Sequence, residues 1–110
     1  METIKEWVEG INNKDNTLIV EGKNDIAALR KIGVITPIES LSKKPIFKIA
    51  EDFPQKKAII LTDFDKKGKE LYGKLKRELQ SWGITVDNVF REWLQNNSKI
   101  SHIEGIDKLI

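Results

Sequence analysis

Three carboxylates stand out by their placement. Glu21 directly follows the compact apolar run Thr17 to Val20, and Asp63 and Asp65 follow the continuous apolar run Ala58 to Thr62. In open parallel sheets, ligands bind beyond the carboxyl ends of the strands, which is where these three acids fall. Hard oxygen donors meeting at one sheet edge suit Mg2+ or Mn2+, ions that keep room for water and substrate phosphate. Without a cation, crowded carboxylates raise one another's pKa, so the site is expected to hold a metal or a proton. Acids after strands also serve as helix caps, and Asp63 or Asp65 can cap a helix starting at Lys66 while Glu21 faces solvent. The D-x-D spacing alone does not separate the two readings. Placement after two different strands favours a site.

The elements that must position these residues can be read from periodicity. Ile4, Trp7, Val8 and Ile11 fall at helical spacing, with Thr3 and Glu6 at capping-box distance, so a short amphipathic helix opens the chain. Thr17 to Val20 reads as a buried strand ending in a Glu21-Gly22 turn. Asn24 can cap a helix that runs to a glycine stop at Gly33. Val34 to Leu41 is strand-like but contains Pro37, which points to an edge. Pro45 suits the first position of a helix through Ile46, Ile49, Ala50 and Phe53 that Pro54 ends. Ala58 to Thr62 is apolar throughout, as a central parallel strand covered on both faces should be. Leu71, Leu75, Leu79 and Trp82 then form one stripe on a long helix from Lys66, stopped by Gly83. Ile84 to Val86 is a short strand, and Asp87 or Asn88 can cap a helix with Val89, Phe90, Trp93 and Leu94. Residues 99–110 show no clear period. Alternating strands and helices predict an α/β sandwich of about four mainly parallel strands with helices on both faces.

Composition narrows the classes. At 110 residues the chain suits one domain, spanning 1–110, with a core at about 17–87 between an N-terminal helix and a C-terminal helical extension. The absence of cysteine excludes disulfides, thiolate nucleophiles and cysteine-based zinc sites. There is no secretory-type start and no apolar run of about 20 residues, so the expected location is the cytoplasm, with no membrane partner. A net charge of +2 is too small to mark a nucleic-acid binder without a local patch.

The segments L-I-V-E-G-K-N-D (residues 18–25) and I-I-L-T-D-F-D-K-K-G (residues 59–68) resemble the two signature motifs of the Toprim family, which takes its name from topoisomerases and primases. The resemblance implies a compact Rossmann-like fold. It also implies that Glu21 acts as general acid or base or as a metal ligand, and that Asp63 and Asp65 chelate Mg2+. Gly22 would let the turn approach substrate, Asp25 matches a frequent acidic position, and Lys23 can touch phosphate from the same turn. Asp25 can equally serve the first turn of its helix, where negative charge is favoured.

Within that family, topoisomerases need a nucleophilic tyrosine in another domain, whereas Tyr72 sits beside the leucine stripe. Primases add a template-gripping subdomain that this length does not hold. The chain therefore looks like a small free-standing member, similar to the catalytic part of the ribosomal RNA maturase, which implies metal-dependent nuclease cleavage of RNA or DNA. The alternative is a non-catalytic module that keeps the metal site and binds nucleic acid, a protein partner or a second copy. A third reading is an α/β domain that binds a phospho-ligand through the Gly22 turn without a divalent cation.

The remaining features carry weaker expectations. Lys66, Lys67, Lys69, Lys74, Lys76 and Arg77 can supply phosphate contacts, Lys67 above all because it is near the D-x-D turn and Gly68. With Glu70 and Glu78 interspersed, a solvated helix face is the competing reading. His102 reads as a lone surface histidine. Trp7, Trp82 and Trp93 read as core or interface anchors.

Overall fold

A computed structural model describes all of residues 1–110 and joins four strands in one sheet of order β2-β1-β3-β4, every pair parallel. In chain order the elements are α1 (Ile4–Asn12), β1 (Thr17–Val20), α2 (Lys23–Lys31), β2 (Ile38–Ser40), α3 (Ile46–Glu51), β3 (Lys57–Ile60), α4 (Lys66–Ser81), β4 (Thr85–Val86), α5 (Val89–Asn97) and a 3-10 helix (Ile103–Leu109). The expected α/β sandwich with helices on both faces is what the chain forms.

Successive strand residues point to opposite faces, and the burial follows that period of two. Leu18 and Val20 of β1, with Ile59 and Leu61 of and just after β3, meet Trp7, Leu29, Phe90, Leu94, Ile103 and Ile106 on one face. Ile19, Ala58 and Ile60 meet Ile49, Ala50, Leu75, Leu79 and Ile84 on the other. Because both faces are covered, the central strands carry no polar alternation. The indole Nε1 of Trp7 donates to the Phe90 carbonyl at 2.9 Å, and the two rings meet edge to face, so α1 is fixed on α5. No helix is long and apolar enough to cross a membrane.

Several local expectations shift. Gly22, not Asn24, is the N-cap of α2, because the Asp25 carboxylate reaches back to the Gly22 N–H at 3.0 Å and starts the helix earlier. Pro45 is the N-cap of α3 and not its first helical residue, and that helix closes at Glu51, before Phe53. The strand expected over Val34 to Leu41 is confined to the three residues after Pro37, at the edge that proline tolerates. Trp82 is 52% exposed, with its Nε1 donating to Glu78 at 3.1 Å, so it is not a core anchor. It stands at the C-cap of α4, past the last buried turn of the stripe. Gly33 and Gly83 do end α2 and α4, with φ of 103° and 78°, a conformation that glycine adopts without steric cost.

Candidate functional site

The order β2-β1-β3-β4 means that the chain runs outward in one direction from β1 and in the other from β3. The crevice between them, at their carboxyl ends, is the topological switch point where such sheets bind ligands. Parallel pairing sets the level across it. Ile19 pairs with Ile60, and the Leu61 N–H donates to the Ile19 carbonyl at 2.8 Å. Two residues further along each strand, the Glu21 carboxylate accepts the Asp63 N–H at 2.8 Å. The first carboxylate is thereby docked on the backbone of the second.

The turn that follows β3 is tied down at nearly every atom. One oxygen of Asp63 accepts the Ile103 N–H at 2.8 Å, and the Phe64 N–H donates to the Ser101 carbonyl at 2.8 Å. One oxygen of Asp65 accepts the Gly68 N–H at 2.7 Å and caps α4, so the capping reading holds for Asp65. It leaves the second oxygen of each aspartate for another partner. Thr62 Oγ1 donates to the Gly68 carbonyl at 2.8 Å. A Cβ added to Gly68 would lie 2.0 Å from the Asp63 carbonyl oxygen, so only glycine lets α4 begin this close to the aspartate turn.

Arg91 supports the turn from behind. Its guanidinium is buried, donates to the Thr62 and Asp63 carbonyls, and lies 4.6 Å from the Phe64 ring centroid and 4.8 Å from that of Tyr72. Tyr72 is in turn hydrogen-bonded to Asn88. Burial lowers the Arg91 pKa, while Tyr72, Asp63 and Glu21 oppose that shift. A clue to Arg91 was present in the sequence, since it shares the buried side of α5 with Phe90 and Leu94.

His102 is the other residue that sequence reasoning passed over. Its Nε2 lies 3.3 Å from Asp65, and its Nδ1 is 2.9 Å from Ser101 Oγ. Asp63, Asp65 and His102 each offer a ligand atom, all within 4.8 Å of one another. Ligands around one small divalent ion at about 2.1 Å stand at most about 4 Å apart, so modest side-chain rotation closes the set. Glu21 is not in this group. Nothing local in S-H-I-E-G-I-D signals the contact, which comes from the 3-10 helix packing on α2 and from the backbone bonds of residues 101 and 103.

The turn after β1 is more open. Glu21, Gly22, Lys23, Asp25 and Asp63, with Ser42 and Glu104, border a cleft of about 400 Å³. Gly22 has extended backbone and nothing within 4 Å of an added Cβ, so its lack of a side chain keeps the cleft mouth clear. The Glu21 carboxyl is pushed above its ordinary pKa by burial, with Asp63, Asp65 and Asp25 adding to the rise against the Asp63 N–H. Asp25 is likewise raised, first by burial and then by Asp63 and Glu104, while the Gly22 N–H counteracts. Asp25 caps α2, as its helix reading expects, and also borders the cleft. Lys23 is exposed at the rim, and Lys67 is exposed on the first turn of α4.

Comparison with known proteins corrects the family expectation. No protein-family model matches the chain. A UPF0292 protein of Pyrococcus abyssi is 39% identical over 103 residues, covering 93% of this chain and 77% of that protein. A UPF0292 protein of Methanocaldococcus jannaschii is 35% identical over 101 residues, covering 87% and 79%. A solved structure of a protein from Aquifex aeolicus superposes with a TM-score of 0.85 at 31% identity, covering 94% of this chain and 98% of its own. None of these indicates a Toprim domain. The two motifs that resembled that family are short, and each is a buried strand followed by an acidic turn, a pattern that any parallel sheet with carboxylates at its ligand edge can present.

Proposed function

The chain belongs to the UPF0292 family, and from that premise we propose that it is a divalent-cation-dependent enzyme that cleaves phosphodiesters of RNA or DNA at the Asp63–Asp65 turn. One observation carries the reading: two aspartates fixed by backbone N–H groups face a carboxyl whose pKa is raised, across the switch point of the sheet. Mg2+ or Mn2+ bound there would supply positive charge to a phosphate oxygen. Asp63 and Asp65 would hold the ion through the oxygens their backbone partners leave free. Glu21, whose carboxyl is pushed above its ordinary pKa by burial and like charge, is suited to give a proton to the departing oxygen of the ester as water adds to the phosphorus. Lys23 and Lys67 flank the site on its two turns and can position neighbouring phosphates, and Gly22 and Gly68 keep the approach and the turn unobstructed.

Cleavage of structured RNA and of DNA in the presence of Mg2+ or Mn2+ tests this. Turnover is expected to fall at least about 100-fold in Glu21→Gln, the scale typical of general acid–base groups, and to be lost with the ion in Asp63→Asn, which removes a charged ligand. Activity unchanged in both variants removes the site. Metal-dependent nucleic-acid binding without cleavage leaves the non-catalytic module.

A further inference from the structure

The third corner of the aspartate site is a nitrogen donor, and it arrives fully supported. Residues 101–103 lie along the D-F-D turn through a run of consecutive contacts. The Ser101 carbonyl takes the Phe64 N–H, the His102 imidazole meets Asp65, and the Ile103 N–H meets Asp63. His102 has both ring nitrogens engaged in ways that suit coordination, because a ligating imidazole commonly uses one nitrogen for the ion and gives the other to a hydrogen-bond partner that fixes its orientation. Here Nδ1 is 2.9 Å from Ser101 Oγ, and Nε2 points to Asp65. In the tautomer that donates its Nδ1 proton to the hydroxyl, Nε2 carries a lone pair on the side where Asp63 and Asp65 offer their oxygens.

We propose that His102 is a direct metal ligand and that it makes this site select a first-row transition ion, such as Mn2+ or Zn2+, over Mg2+. The inference deepens the functional reading above and rests on it. Mg2+ favours an all-oxygen, near-octahedral shell and gains little from imidazole, whereas transition ions gain from nitrogen ligands. A two-carboxylate, one-imidazole set still leaves positions for substrate oxygen. A simple ion pair between His102 and Asp65 would explain their contact, but both side chains are about half exposed and such a pair is screened by solvent. Coordination in addition brings in Asp63, whose ligand oxygen lies within the same 4.8 Å group as Asp65 and the imidazole.

The test is titration of the full chain with Mn2+ and, separately, with Mg2+, followed by calorimetry and by electron paramagnetic resonance of bound Mn2+. Wild type is expected to bind Mn2+ more tightly than Mg2+ and to show hyperfine coupling from an imidazole nitrogen. His102→Ala should abolish that coupling and weaken Mn2+ by at least about tenfold, leaving Mg2+ affinity nearly unchanged. Ser101→Ala, which keeps the imidazole but releases Nδ1, should cost Mn2+ about tenfold with the coupling retained. Mn2+ that binds without nitrogen coupling, and equally well in His102→Ala, overturns the inference and leaves the carboxylate reading standing. Failure of wild type to bind either ion, with Asp63→Asn indistinguishable from it, overturns both.

Discussion

The two turns at the carboxyl ends of β1 and β3 begin alike, each with a carboxylate after a buried strand, and are built to opposite specifications. The β3 turn is held by Arg91, Ser101, Ile103 and the first turn of α4, and its backbone packs against Gly68. The β1 turn has the Glu21 carbonyl taken by the Ser42 N–H at 3.1 Å and the Gly22 N–H taken by Asp25, with open space over Gly22. The difference teaches a division of labour. A group that must hold two anionic side chains close together needs its backbone over-determined, because their repulsion acts to pull it apart. The β1 turn keeps open space over Gly22 and is under no such demand.

Substituting the glycine of each turn gives the sharpest way to break that comparison. Gly68→Ala forces a methyl group onto the Asp63 carbonyl and is expected to cost about 3 kcal/mol in chemical denaturation, as overpacking against fixed backbone does. Gly22→Ala places the same methyl group in free space on extended backbone and should change stability by no more than about 0.5 kcal/mol. Equal costs would show that the two turns are equally constrained.

Arg91→Met comes next. It keeps the apolar stem against Phe64 and Tyr72 but leaves the buried Thr62 and Asp63 carbonyls without donors, a loss of about 2 kcal/mol in the same assay. A variant as stable as wild type would mean that water satisfies those carbonyls, and that the β3 turn is more accessible than its contacts indicate.

The smallest effect belongs to the β1 side. Asp25 has its pKa raised in the folded state, so the stability linked to it is complete below the unfolded value of about 4 and is lost as pH rises through the folded value. Asp25→Asn keeps an acceptor for the Gly22 N–H and removes the charge. Its melting temperature should exceed that of wild type at about pH 7, and the gap should close on acidification towards about pH 4. A gap that widens on acidification would show that the carboxylate is stabilised, not strained, where it stands.

How much of this was legible beforehand follows the range of the interactions. Strand β3 and helix α4 are long or strongly periodic, and their apolar patterns alone placed Asp63 and Asp65 at the sheet edge. Glu21 was placed by the same reasoning, since a strand–turn–helix unit is local. The short α3 and the trimmed β2 were set by competition between propensity and packing, which a pattern does not resolve. His102 lay beyond reach because its contact with Asp65 depends on how the 3-10 helix docks, and Arg91 was visible only as a cation on an apolar helix side. The two motifs located buried strands followed by acidic turns, and did not report ancestry.

The bond between Asp63 and the Ile103 N–H joins residues 40 positions apart. On a ribosome adding roughly 5 to 20 residues per second, the aspartate turn is made roughly 2 to 8 s before its clamp exists. During that interval the nascent chain carries two neighbouring carboxylates with neither the Ile103 amide nor the His102 imidazole to organise them. The clamp on the aspartate turn is therefore a late event in the life of the molecule, assembled after the strands that flank it have been synthesised.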